Sequence, residues 1–201
     1  MDGLLCVWIL LGALTTTHAH VTFTNLKCEM ADRTFGDVMC RIKAVNRTHK
    51  YMELRAQLFK LPVENITVSS RRQETEDRRQ DLLILRSLLQ VNLKLMRYNH
   101  GYKVFFIDVN VDACKFLANP RNPIVRSFYN IFKKNSNANH TCPYNHDVIV
   151  DKLFTGNLEA DFAKYVPMVN GDYAFFTEWS TNKIHRAFLK VYFSLSGSKV
   201  D

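Results

Sequence analysis

Apolar and polar residues alternate with a period of two along much of the chain, the pattern of half-buried β-strands. It is clearest over residues 52–58, where apolar side chains alternate with Glu53, Arg55 and Gln57. Similar runs occur at Val21–Phe23, Cys40–Ala44, Phe105–Val111, Val148–Leu153, Tyr173–Trp179 and Ala187–Leu195. The chain is therefore predicted to be mainly β.

One segment changes to a helical period. Asn122 and Pro123 form a cap and first-turn pair, and apolar residues then recur at helical spacing as far as Phe132. We predict one amphipathic helix near residues 122–134. Its apolar face either packs on the sheet or helps to line a cavity, and the sequence leaves both alternatives open.

The N-terminal segment has the features of a secretory signal peptide. Leu4–Leu14 is an apolar run too short to span a membrane, and Thr17 and Ala19 supply the small residues of a cleavage site. Asp2 is atypical, because signal peptides usually begin with a basic region. The alternative is a buried N-terminal helix. We predict a signal peptide at 1–19 and a single secreted domain at 20–201.

The cysteines support an extracellular location. Removal of the signal peptide also removes Cys6, which leaves an even set compatible with two disulfides: Cys28, Cys40, Cys114 and Cys142. Three pairings are possible. We favour Cys28–Cys40 and Cys114–Cys142, because each closes a short loop between neighbouring elements.

Three N-x-[ST] sequons predict N-glycosylation at Asn46, Asn65 and Asn139. The formal net charge of +8 is compatible with anionic partners, but the basic residues are scattered along the chain. We expect a solvated basic surface and no nucleic-acid partner. No internal apolar run reaches spanning length, so the protein is predicted not to be transmembrane.

Residues 68–90 interrupt the strand pattern with an Arg- and Glu-rich stretch followed by a Leu-rich one. If they are removed, Ile66 joins Val91 and Leu93 in a continuous two-residue alternation. The Val-Ser start and the terminal Gln can also be encoded by splice-site sequences. Our hypothesis is a translated intron, and the alternative is a genuine surface loop or charged helix.

The sequence contains no nucleophile elbow, phosphate loop, dinucleotide fingerprint or HExxH motif. The spacing of His140, Cys142 and His146 only vaguely resembles a set of metal ligands, and Cys142 is better used in a disulfide. We therefore predict no enzymatic activity, no cofactor and no metal site. Asp112 is predicted to cap a turn or the start of a helix near Cys114.

Aromatic residues are abundant, with 14 Phe, 8 Tyr and 2 Trp. They can fill a core or line an apolar pocket. The residues that we predict for such a pocket are Phe105, Ile107, Val109, Phe128, Phe132, Phe175, Trp179 and Phe188.

Four blocks carry a resemblance to a known family. They are CRIKAVNRTHKY at 40–51, GYK at 101–103 with VNVDACKFL at 109–117, NHTCPYNHD at 139–147, and GDY at 171–173 with the C-terminal strands. Together they resemble domain-of-unknown-function family 1091, an insect-expanded family of secreted proteins. That family usually lacks the charged insert. It is distantly similar to chemosensory B-type proteins and to the ganglioside activators of the ML lipid-recognition superfamily.

The resemblance implies an antiparallel, immunoglobulin-like β-sandwich or cup whose apolar interior holds acyl chains or other hydrophobic ligands. We therefore expect a secreted, non-enzymatic protein that binds or presents a lipid or hydrophobic small molecule, with chemosensation as one setting. The alternative is a secreted protein-interaction module with a fully packed core, whose partner is a receptor or another secreted protein.

Overall fold

The computed structural model describes residues 20–46, 50–61, 89–159, 162, 166 and 168–197. In this part the chain forms eight strands and three helices. The strands are β1 His20–Met30, β2 Gly36–Ala44, β3 Lys50–Leu58, β4 Leu89–Tyr98, β5 Tyr102–Asp112, β6 Val148–Phe154, β7 Gly171–Thr181 and β8 Ile184–Ser196. The helices are α1 Ala113–Ala118, α2 Pro123–Lys133 and the single turn α3 Gly156–Leu158.

The strands form two antiparallel sheets. The five-stranded sheet has the order β1-β8-β7-β4-β5, and the three-stranded sheet has the order β2-β3-β6. The hydrophobic core contains residues of both sheets, for example Leu95 and Phe193 of the first and Met52 and Leu153 of the second. The expectation of a mainly β, antiparallel sandwich or cup is confirmed.

The period-two pattern of the sequence explains which face of each strand is buried in the core. In β7 the side chains of Tyr173, Phe175 and Thr177 are buried, and in β8 those of Val191 and Phe193 are buried. These strands are in register, with Tyr173 opposite Phe193 and Phe175 opposite Val191. Alternate side chains point to the same face of a sheet, so the aromatic rings of both strands meet inside. The Phe175 and Phe193 ring centroids are 5.2 Å apart.

Both longer helices begin at side-chain caps. The Asn122 Oδ1 atom accepts hydrogen bonds from the Ile124 and Val125 amides, and Pro123 occupies the first turn of α2. The Asp112 carboxylate caps α1 by accepting a 3.0 Å bond from Lys115 N. The sequence predicts α2 within one residue at each end. It predicts one helix, whereas α1 and the single turn α3 also form.

Two disulfides join elements that do not pair with each other in a sheet. Cys28–Cys40 links β1 of one sheet to β2 of the other, with the Cα atoms 6.2 Å apart. Cys114–Cys142 links α1 to the loop before β6, with the Cα atoms 5.5 Å apart. This is the pairing favoured from the sequence. Covalent links of this kind stabilise a fold chiefly by restricting the unfolded chain.

Several sequence predictions lie outside the described residues. They are the signal peptide at 1–19, the sequon residue Asn65 and nearly all of the insertion at 68–90. Of the insertion, Leu89 and Gln90 are described, and they form the first two residues of β4. The other two sequon residues, Asn46 and Asn139, are described and exposed.

The alternation in β8 gives a direct test of the fold. Phe193 is 2% exposed and contacts Tyr173 and Phe175 inside the sandwich, whereas Tyr192 lies on the opposite face beside Tyr102 and Phe176. We expect Phe193→Ala to lower the free energy of unfolding by about 3–5 kcal/mol. The control Tyr192→Ala should cost only about 0.5–2 kcal/mol. Urea denaturation measures both, and equal losses would contradict the assignment of faces.

Candidate functional site: an apolar cavity between the sheets

The interior of the sandwich contains a cavity of about 250 Å³. Both sheets and the helices α1 and α2 contribute to its wall, and the described lining residues are almost all apolar. The sheets supply among others Phe23, Met30, Val38, Met52, Leu54, Ala56, Leu58, Leu89, Val91, Leu93, Val111, Val148, Val150, Phe175, Trp179, Phe188 and Val191. The helices supply Ala113, Phe116, Leu117, Val125, Phe128, Tyr129, Ile131 and Phe132.

The helix α2 forms part of this wall because of its 3.6-residue period. Val125, Phe128 and Phe132 lie on one face and line the cavity. The Phe128 ring is in edge contact with Phe132 of the same helix, at 5.6 Å between centroids, and with Phe175 of β7, at 5.1 Å. The helix therefore both packs on the sheet and lines the cavity. The two alternatives left open by the sequence are both realised.

The cavity becomes more accessible toward one end of the sandwich. Along β4 the lining residues change from Leu93, 2% exposed, through Val91, 8% exposed, to Leu89, which is half-buried. Leu89 pairs with Thr181, the last residue of β7, so the accessible end is where β4 begins and β7 ends. Of the half-buried lining residues, Leu58 is the last residue of β3, and Phe35 lies in the turn directly before β2.

Arg186 is the one charged residue among the described residues that line the cavity. Its side chain is only 13% exposed. The guanidinium forms an ion pair with Asp32, donates from Nε to Thr181 Oγ1 at 2.7 Å, and lies over the Phe35 ring at 4.6 Å. These contacts hold a cation at the accessible end of an otherwise apolar wall.

The hydrogen-bond and ion-pair partners of Asp32 favour its charged form. The Thr34 hydroxyl, the Thr34 amide and the Arg186 guanidinium favour the carboxylate, and together they lower the pKa of Asp32 against the opposing effect of burial. The Thr34 hydroxyl donates at 2.7 Å and the Thr34 amide at 3.0 Å. Asp32, in the turn between β1 and β2, is therefore a negatively charged partner for Arg186 at neutral pH.

The structure brings most of the predicted pocket residues together. Phe128, Phe132, Phe175, Trp179 and Phe188 line the cavity. Phe105, Ile107 and Val109 were predicted with them, but they do not line it. They belong to the core elsewhere in β5, where the Phe105 ring lies 5.8 Å from that of Tyr173. The alternation predicted the correct face of β5, but it gives no position along the strand relative to the cavity.

Sequence reasoning missed the contributions of β2, β3 and α1, together with Phe35 and Arg186. Asp112 is predicted to cap a turn or the start of a helix near Cys114, which is the available signal for α1. The strand pattern at 52–58 marked Leu54 and Ala56 as inward-facing. Nothing in the local pattern indicates that an Arg in β8 lies beside a turn more than a hundred residues away.

In the described part of the chain, no group of three or more His, Cys, Asp or Glu side chains is arranged to hold a metal ion. No helix of that part is long and apolar enough to cross a membrane.

Two antiparallel sheets, two disulfides and an apolar interior define a disulfide-braced β-sandwich protein with an internal cavity. A family model described as "Protein of unknown function (DUF1091)" matches residues 91–175. The resemblance to this family inferred from the sequence is therefore confirmed over those residues, which extend from β4 into β7 and include α1 and α2. No curated protein matches the chain.

The Asp32–Arg186 pair predicts how stability responds to acid. A lowered pKa in the folded state means that the carboxylate stabilises the fold above the pKa of the unfolded chain, about 4, and that this contribution is lost as the pH falls through the lower folded value. Asp32→Asn cannot ionise. We expect the difference in unfolding free energy between the wild type and Asp32→Asn to be largest near pH 6 and to shrink below about pH 4.

Urea denaturation at a series of pH values measures this difference. The control is Asp37→Asn, because Asp37 is exposed and its carboxylate accepts, among the described residues, from the adjacent Val38 amide alone. A gap between the wild type and Asp32→Asn that stays constant down to pH 2.5 would contradict the role of Asp32.

Proposed function

We propose that this protein binds a small hydrophobic ligand, such as a single-chain lipid, in the cavity between its sheets, and that it does so without catalysis. The observation that carries the proposal is an interior wall that is apolar over both sheets and two helices, with space left unfilled. A core that serves only stability is packed to high density and leaves few voids larger than a water molecule. Unfilled apolar volume is what a hydrophobic ligand requires.

The size of the cavity supports a small ligand. Its volume of about 250 Å³ exceeds the roughly 150 Å³ at which an engineered apolar cavity binds benzene, and it is just below the roughly 300 Å³ at which pockets for larger ligands begin. One acyl chain or a compact apolar molecule fits this range better than a multi-chain lipid.

The position of Arg186 supports one orientation of the proposed ligand. The guanidinium lies at the accessible end, where its remaining donors can bind a polar or anionic headgroup, while the apolar tail extends toward Leu93 and Phe175. A single-chain amphiphile with a carboxylate therefore matches both the apolar wall and the Arg186 guanidinium.

The length of the ligand's acyl chain provides a quantitative test of the proposal. Each buried methylene contributes about 0.8 kcal/mol, so the affinity for a series of fatty acids should rise about fourfold per methylene until the cavity is full, and then level off. Displacement of a fluorescent apolar probe measures these affinities. Affinity independent of chain length, together with no lipid in native mass spectra of the purified protein, would defeat the proposal.

A cavity-filling variant gives the structural control. Ala56 lies in β3 and lines the cavity, whereas Ala44 is exposed at the end of β2. We expect Ala56→Phe to weaken fatty-acid binding at least tenfold because its ring occupies ligand volume, and Ala44→Phe to leave binding unchanged. Thermal melting of both variants without ligand checks that each is folded. Equal binding by the two would show that the ligand lies elsewhere.

We also propose that the protein is secreted and glycosylated. The support is the pair of disulfides, which form in oxidising compartments, and the exposure of Asn46 and Asn139. Expression of the full chain in insect cells should deliver it to the medium, and N-glycosidase should lower its apparent mass. Asn46→Gln and Asn139→Gln should each reduce that shift. Retention inside the cells without a shift would contradict secretion.

The alternative function, a protein-interaction module, is favoured by one feature of the β4–β5 edge. Val104 and Phe106 of β5 are 50% and 55% exposed, beside the similarly exposed Tyr98 of β4. An exposed apolar group on an edge strand is typical of interaction surfaces. Substitution of Phe106 by Ser should abolish partner capture under this alternative, while fatty-acid binding should be unaffected.

A further inference from the structure

The loop before β6 brings two histidines into direct contact. The His140 and His146 Nε2 atoms are 2.8 Å apart. The loop is fixed at Cys142 by the disulfide to Cys114, and the Tyr144 hydroxyl donates to the His140 carbonyl at 2.7 Å. The Tyr144 ring contacts both imidazoles, at 4.6 Å from His140 and 5.7 Å from His146. The two side chains are therefore held together by the fold of the loop.

The other ring nitrogens define the tautomers. The Nδ1 atom of His140 is 2.7 Å from the Thr141 carbonyl, and that of His146 is 2.8 Å from the Asp147 carbonyl. A carbonyl oxygen can only accept, so each Nδ1 carries the hydrogen. Asn137 Nδ2 lies farther from His146 Nδ1, at 3.1 Å, and donates to the Asp147 carbonyl at 2.7 Å.

This assignment leaves the two Nε2 lone pairs facing each other. A neutral imidazole has a single N–H, and in both rings it lies on Nδ1. Two lone pairs 2.8 Å apart repel unless a cation lies between them. The cation is either a shared proton or a metal ion. Histidines that bind metals usually donate the other ring N–H to a carbonyl or carboxylate, which is the arrangement of both rings here.

We propose that His140 and His146 bind a divalent transition-metal ion of the zinc class through their Nε2 atoms. Imidazole nitrogen suits Zn²⁺, Cu²⁺ and Ni²⁺, whereas Mg²⁺ and Ca²⁺ require oxygen ligands. Zn–N bonds of about 2.0–2.1 Å in a tetrahedral site separate two nitrogens by about 3.3 Å. The rings must move apart by a few tenths of an ångström, and exposure of His140 allows this.

Neighbouring groups leave the remaining coordination positions to water. Cys142 is in a disulfide. The Asp147 carboxylate is bound to Arg55 at 3.3 Å and to the Leu58 amide at 3.2 Å. The Tyr144 hydroxyl donates its hydrogen to the His140 carbonyl at 2.7 Å. The proposed site therefore has two histidine ligands, whereas the sequence led us to expect no metal site.

Isothermal titration of the tag-free, oxidised full chain with ZnCl₂ at neutral pH tests the proposal. We expect one Zn²⁺ per chain, no heat of binding with MgCl₂, and an affinity at least tenfold lower for His140→Gln or His146→Gln. The matched control is His185→Gln, because His185 is also exposed and its partner is Glu178 on another part of the surface. This variant should bind like the wild type.

A second measurement on the unaltered protein removes any dependence on the folding of the variants. The imidazole ¹⁵N resonances of His140 and His146 should shift on addition of Zn²⁺, with the larger change at Nε2. Resonances that respond to pH but not to Zn²⁺ would show that the pair holds only a proton, and the proposal would be overturned. A loss of Zn²⁺ binding in His185→Gln equal to that in His146→Gln would overturn it as well.

Discussion

The two sheets of this protein are joined along one side and are separate on the other. β1 of the five-stranded sheet lies beside β2 of the three-stranded sheet, and Cys28–Cys40 links them covalently. The far strands, β5 and β6, belong to different sheets and do not pair with each other. The helices α1 and α2 also contribute residues to the interior wall. The cavity is thus enclosed by two sheets that are linked covalently on one side and by residues of two helices.

Local patterns in the sequence predicted the elements well because the forces involved are local. Alternation reports which face of a strand is buried, and the Asn122–Pro123 pair reports where α2 begins. These signals sufficed for the strands after residue 100 and for the helical aromatics Phe128 and Phe132. The cysteine pairing followed from proximity along the chain.

The position of the cavity could not be predicted, because it depends on contacts between distant segments. Phe105 and Val111 belong to the same alternating pattern and therefore lie on the same face of β5. They are separated along the strand by about 20 Å, at 3.3 Å per residue. Only Val111 reaches the cavity. Likewise, Arg186 lies beside Phe35 and Asp32 only because β8 pairs with β1. A single sequence contains no local signal for either fact.

Tyr144 connects two regions that have been treated separately. Its side chain lines the cavity, and its ring also contacts both His140 and His146. An occupant of the cavity and an ion on the histidines would therefore share one aromatic side chain as a common wall. If one occupant changes the affinity for the other by some factor, the second occupant must change the affinity for the first by the same factor. The Cys114–Cys142 disulfide joins the loop that contains Tyr144 to α1, two residues before Tyr144.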